Sequence, residues 1–187
     1  MNTRLFSFIG GSTGDWAVVR MATIVGDPLP AASRLAVTGG SPDSLRAGAA
    51  WCLRGITSHE RYVTAQEKEQ LQAKQEGLGR PEAACAALIP IRKTAQWWSL
   101  PQDERRRICE ERFPHIGIGL KYLSAIVRRL HHCRDLGVQE PFDFLMWFEF
   151  SPSDTNAFED LVAELRASEE WRYVDREVDI PLIRGEP

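Results

Sequence analysis

The sequence predicts an α+β protein in which helices cover antiparallel sheets. Three observations carry that expectation. Phe142, Phe144, Met146, Phe148 and Phe150 alternate with a period of two, as residues on one face of a strand do. Ala157, Phe158, Leu161, Val162 and Leu165 fall at helical spacing. From residue 81 the elements read strand, helix, helix, strand, helix, strand, whereas the first part is mostly strands with one helix.

Leu5–Ile9 and Trp16–Val25 are rich in β-branched and aromatic residues and are separated by Gly10-Gly11, so both are expected as strands. Pro28–Ser44 is rich in Pro, Gly and Ser, and reads as a long connection with a short apolar run inside it. Trp51–Ile56 is a further strand. Thr64-Ala-Gln-Glu67 is a capping box, which predicts a polar helix to about Gln75, stopped by Gly77 and Gly79. Ala83–Ile91 is apolar and reads as a buried strand. Ser99-Leu-Pro-Gln102 is a second capping-box pattern, with a charged helix expected to about Arg112. Leu120, Leu123, Val127 and Leu130 repeat at helical spacing and predict a helix up to Gly137. Phe142–Phe150 is a strand, residues 157–165 a helix, and Trp171–Ile183 the final strand. Two ferredoxin-like halves fit this order, an abbreviated one over residues 1–80 and a second over 81–187, forming one compact unit.

A chain of 187 residues can bury a substantial core. Its 43% hydrophobic and 26% charged residues match an ordinary soluble domain. A net charge of −3 argues against a nucleic-acid surface. Arg105–Arg107, Arg128 and Arg129 read mostly as solvated helix faces, given Glu104, Glu110 and Glu111 nearby. Cys52, Cys85, Cys109 and Cys133 lack metal-type spacing, so reduced thiols in a cytoplasmic protein are expected. The N-terminal apolar run is too short for a signal-peptide core, and no run reaches the ~18 apolar residues of a membrane span.

Candidate chemistry concentrates between Lys93 and Glu170. His115 follows Pro114 and precedes Gly-Ile-Gly, small residues that permit close approach of something flat. A neutral imidazole there is a good axial ligand for haem iron. Arg128, a permanent cation with five donors, suits a small oxyanion. Thirteen helical residues span about 20 Å and turn by roughly 220°, so His115 and Arg128 cannot share one face of a straight helix. They can flank a planar cofactor if His115 lies at a helix start. The other histidines read as structural: His59 before a helix, and His131 and His132 at a helix C-terminus. Trp97-Trp98 reads as core packing and interface, or as an aromatic wall with Lys93 at its edge.

Lys93-x-x-x-Trp97-Trp98, His115 to Arg128, Phe142–Phe150 and Glu170–Asp179, in this order, resemble the chlorite dismutase family, from about residue 60 to the C-terminus. The abbreviated N-terminal region resembles its short, dimeric subgroup. The resemblance implies a dimeric α+β barrel carrying haem b that converts chlorite to chloride and dioxygen. It implies His115 as proximal iron ligand, Glu170 as acceptor from its second ring nitrogen, and Lys93 bonded to that carboxylate. It implies Arg128 as a distal arginine with Gln75 beside it, and Met146 and Phe148 on the distal side, on a strand face expected to point inward. Two positions depart from the family pattern: Glu177 stands where longer members have tryptophan, and Met146 where threonine is common. A coproheme decarboxylase on the same fold lacks an arginine at the position of Arg128. A haem-binding module without turnover does not need the charged pair Lys93 and Glu170. A small-anion peroxidase on the same haem site is the weakest alternative.

Overall fold

A computed structural model describes residues 4–40, 48–57, 78–111, 115–122, 125–137 and 139–185. The strands are β1 (Leu5–Gly11), β2 (Trp16–Val18), β3 (Ala22–Val25), β4 (Arg34–Gly39), β5 (Ala49–Ile56), β6 (Cys85–Lys93), β7 (Ile126–His132), β8 (Phe144–Phe150) and β9 (Val174–Arg184). The helices are α1 (Ala95–Ser99), α2 (Gln102–Arg106), α3 (His115–Tyr122) and α4 (Thr155–Arg166). The α+β expectation holds.

The sheet runs β2-β4-β1-β5-β7-β8-β6-β9-β3 and is antiparallel between neighbours. β2 also pairs with β9, so eight strands close into a barrel and β3 extends it along β9. Residues before 57 supply one arc of four strands, and residues after 84 supply the other. Within each arc the strands lie in the order second, third, first, fourth, with β3 set aside as the extension.

Both faces of β8 are buried, and this decides how its sequence pattern must be read. Leu145 and Trp147 of β8 join Phe8, Trp16, Leu35, Leu53, Leu88, Ile180 and Leu182 inside the barrel. Met146, Phe148 and Phe150 point the other way, into a layer with Ile118 of α3 and Phe158, Leu161, Val162 and Leu165 of α4. Period two correctly identifies the strand. The face expected to point inward faces the helices instead, because alternation cannot rank two apolar faces. Phe142 precedes the strand and packs with the barrel interior.

Other expectations need correction. Residues 126–132 form a strand rather than the end of a helix, so Arg128, Arg129, His131 and His132 all lie on β7. Ile, Val and Leu recur there at a spacing that suits either element, and pairing with β8 over seven residues decides for strand. The long connection 28–44 contains β4, whose Leu35 and Ala36 are core residues. Trp16–Val25 is two strands. The second capping box does not form: Ser99 Oγ donates to the Gln96 carbonyl at 2.7 Å, and Pro101 stands at the start of α2. The final strand begins at Val174, after a 3₁₀ turn over Glu169–Tyr173. The expected helix over 64–75 and His59 lie outside the described residues.

Candidate active site

Lys93 ends β6, and its backbone N–H donates to Asp143 Oδ2 at 2.7 Å. Thr94 then caps α1, its hydroxyl accepting from the Trp97 N–H at 3.3 Å. This abrupt change from strand to helix places Trp97 back over the end of β6. The Lys93 side chain is wholly buried. A buried ammonium needs compensation from charge and hydrogen bonds. Its Nζ donates to Glu170 Oε1 at 2.8 Å and to the Glu170 carbonyl at 3.1 Å. The rings of Trp97 and Trp171 lie 4.9 and 5.4 Å from it, two cation–π contacts. The structure therefore brings Lys93, Trp97 and Glu170 together across 77 residues of chain.

Trp98 belongs to a neighbouring cluster. Successive helical residues point about 100° apart, and Trp98 turns away from Lys93 to stack on Phe144 at 5.9 Å. Its indole N–H donates to Asp143 Oδ2 at 3.2 Å. The Arg134 guanidinium lies 4.0 Å from the Trp98 ring and pairs with Asp143 at 3.4 Å. Asp143 thus holds the Lys93 backbone, the Trp98 indole and Arg134 together. Sequence reasoning passed over it, although a carboxylate between Phe142 and Phe144 breaks an apolar run.

A second group of site candidates lies on the outer face of β7 and β8. Arg128 is opposite Phe148 in the register, and Leu130 is opposite Met146. Arg128, Met146 and Phe148 consequently share one face. Met146 and Phe148 are buried in the layer that also contains Ile118 of α3. His115 is the first residue of that helix and is described by its backbone alone. It opens a helix while Arg128 sits on a strand, so the restriction imposed by one continuous helix does not arise. Gln75 lies outside the described residues.

A third cluster adjoins the first. Trp171 Nε1 donates to Glu177 Oε2 at 2.7 Å, and Arg166 Nε donates to Glu177 Oε1 at 2.8 Å. Elsewhere, burial pushes the His131 imidazole down to about 4, so it is neutral near pH 7. Burial, reinforced by Glu140 and Asp143, pushes the Cys133 thiol far up and keeps it protonated. Cys52, Cys85, Cys109 and Cys133 are free thiols. No helix among the described residues is long and apolar enough to cross a membrane.

The arrangement offers a buried ammonium paired with a carboxylate at one place and, on the β7–β8 face next to α3, the guanidinium of Arg128. Comparison with known proteins gives these parts a context. A family model described as chlorite dismutase matches residues 3–186. A chlorite dismutase of Ideonella dechloratans is 29% identical over 123 residues, which is 65% of this chain and 40% of that relative's length. The solved dimeric chlorite dismutase of Nitrobacter winogradskyi is 53% identical, with a TM-score of 0.88, and the match covers 96% of this chain and 99% of the other. The chlorite dismutase of Candidatus Nitrospira defluvii in complex with imidazole is 20% identical with a TM-score of 0.69, covering 99% and 93% of the two chains, a likeness of fold.

Proposed function

Because this chain belongs to the chlorite dismutase family, we propose that it converts chlorite to chloride and dioxygen on a bound haem b. The observation that carries the reading is the Lys93–Glu170 ion pair at 2.8 Å, whose ammonium side is wholly buried. A carboxylate has two oxygens and accepts several hydrogen bonds at once, so Glu170 is chemically suited to orient an imidazole N–H while it pairs with Lys93. Such a partner fixes the tautomer and raises the basicity of a metal-bound histidine. His115, at the start of α3, is the residue we assign as the iron ligand. The apolar layer of Met146, Phe148 and Ile118 suits a flat macrocycle.

Haem iron, when bound, would supply the redox chemistry by which both oxygens of one chlorite leave as dioxygen and its chlorine as chloride. The protein's own residues hold and orient. Arg128 binds the oxyanion with its planar fork and retains it while the oxygen–oxygen bond forms, and in an apolar site that attraction is far stronger than in water. Met146 and Phe148 exclude water on the same face. Gln75 is assigned beside Arg128. Lys93 pairs with Glu170, Trp97 covers Lys93, and Trp98 braces the same segment through Asp143. The atoms balance without a further reactant: one chlorite gives one chloride and one dioxygen.

We further assign a cytoplasmic homodimer. The dimeric 53% identical relative supports the homodimer. The repeated strand order of the two arcs supports two ferredoxin-like halves over 1–80 and 81–187, the first abbreviated. The deciding experiment loads the full chain with haem b, adds chlorite, and follows dissolved oxygen and the Soret band together. Stoichiometric oxygen release is expected. Haem uptake without oxygen would refute the activity and leave a haem-binding module; no haem uptake would refute the cofactor.

A further inference from the structure

Lys93 is held by more than its carboxylate. Trp171 lies in the same 3₁₀ turn as Glu170, and its ring covers Lys93 Nζ at 5.4 Å. The Trp97 ring covers the same Nζ at 4.9 Å. With both rings in place the Lys93 side chain has no exposure to solvent. What fixes Trp171 is therefore as important as what fixes Lys93. Its indole N–H donates to Glu177 Oε2 at 2.7 Å.

Glu177 is an unusually rigid anchor. It is wholly buried, and its second oxygen accepts from Arg166 Nε of α4 at 2.8 Å. Arg166 also pairs with Asp179 at 3.4 Å, and Asp179 with Arg20 at 3.5 Å. The β9 backbone at Glu177 is in register with Ile91 of β6 on one side and Val25 of β3 on the other. A carboxylate fixed by the sheet on both sides, with a partner on each oxygen, leaves the indole one orientation. A hydrophobic side chain at 177 would fill the space without aiming Trp171.

We propose that Glu177 is a positioning residue: by tethering the Trp171 indole it holds Lys93 dry and aimed at Glu170. The proposal rests on the reading of Lys93 and Glu170 as the pair behind the iron ligand. If the tether is lost, Trp171 swings, water reaches Lys93 Nζ, and the ion pair is screened. Glu170 then draws more strongly on the imidazole proton, and the iron–histidine bond stiffens.

The test needs a variant that removes the tether without leaving Arg166 or Glu177 unpaired, while Asp179 keeps Arg20. Arg166→Met with Glu177→Met replaces an ion pair by apolar groups of similar size, an exchange that folded proteins often tolerate. The first readout is the nitrogen-15 resonance of the Lys93 ammonium in the full chain, with and without haem. The second is the iron–histidine stretching band after haem loading. We expect the ammonium signal to broaden or vanish through exchange with water, and the stretching band to rise. An unchanged Lys93 signal in the folded variant overturns the proposal, and so does a changed signal with an unmoved stretching band. If the double variant does not fold, Glu177→Gln weakens the acceptor, and the same two readouts decide. Should the parent chain fail to take up haem, the haem reading falls, while the Lys93 signal alone still judges the tether.

Discussion

Arg128 sits opposite Phe148 on a strand, half-buried on an apolar face. A guanidinium in such a place is stiffer than on a loop and less hydrated than on an open surface, and both features favour anion binding. The expected consequence is a separation of functions. Arg128→Ala should lower oxygen release from chlorite by about 10²-fold, the usual loss when one preorganised charge is removed. Haem uptake, read from the Soret band, should persist, and the band should bleach sooner during turnover. Equal oxygen yield and equal lifetime in the variant would remove Arg128 from the reaction. Arg128 is also the residue whose setting the sequence misrepresents most. Its identity as a cation near an apolar run is legible, but its secondary structure is not. Val127, Leu130 and their neighbours fit a helix as well as a strand until β8 is available to pair with them. Lys93 and Glu170 are legible only through family likeness, since nothing local reveals a contact across 77 residues.

At the scale of elements, α1 is a five-residue helix with little stability of its own. Its start depends on the Thr94 hydroxyl, and it carries Trp97 onto Lys93. Thr94→Ala should cost about 1 kcal/mol, measured as a shift in the urea midpoint at unchanged slope. It should also loosen Trp97, seen as a red shift and weakening of tryptophan fluorescence. A variant with parental stability and emission would show that α1 is set by packing alone. The sequence hides this helix because the capping pattern three residues after Ser99 is a false start: Ser99 bonds back to Gln96, and proline opens α2. In contrast α4 is fully legible. Its Phe158, Leu161, Val162 and Leu165 form one stripe, and that stripe is the buried one. The difference is length: a long amphipathic helix states its period several times, whereas α1 states nothing within a single turn. β4 is missed for a related reason. Its strand residues sit inside a Pro- and Gly-rich stretch, and only pairing with β1 on one edge and β2 on the other makes them a strand.

The whole molecule is a barrel of two four-stranded arcs joined at two narrow seams. Among the described residues β2 meets β9 over three residue pairs, and β5 meets β7 at the single pair Ile56–His132. His131 stands beside the second seam, in the barrel interior. Its ring lies 5.2 Å from that of Phe6 and 5.0 Å from that of Phe8, and Nδ1 is 3.3 Å from the Leu145 carbonyl. β5 packs directly on it, since a Cβ at Gly55 would lie 2.7 Å from the His131 Cβ. Burial lowers the imidazole to about 4; the Leu145 carbonyl opposes this, while Arg129 and His132 add to it. In the unfolded chain the same group titrates near 6.5. Between these values the unfolded state holds a proton that the native state does not, so stability rises with pH across the window and falls on acidification through it. The full effect is on the order of 3 kcal/mol. It should act where the barrel is least paired. Melting temperature should drop between pH 7 and pH 5, and amide exchange should quicken first in β5 and β7. His131→Leu should flatten this slope while keeping the neutral-pH fold. If that variant keeps the parent's pH dependence, another group governs acid sensitivity. If exchange quickens first in β6 or β8 instead, the β5–β7 seam is not where the barrel opens.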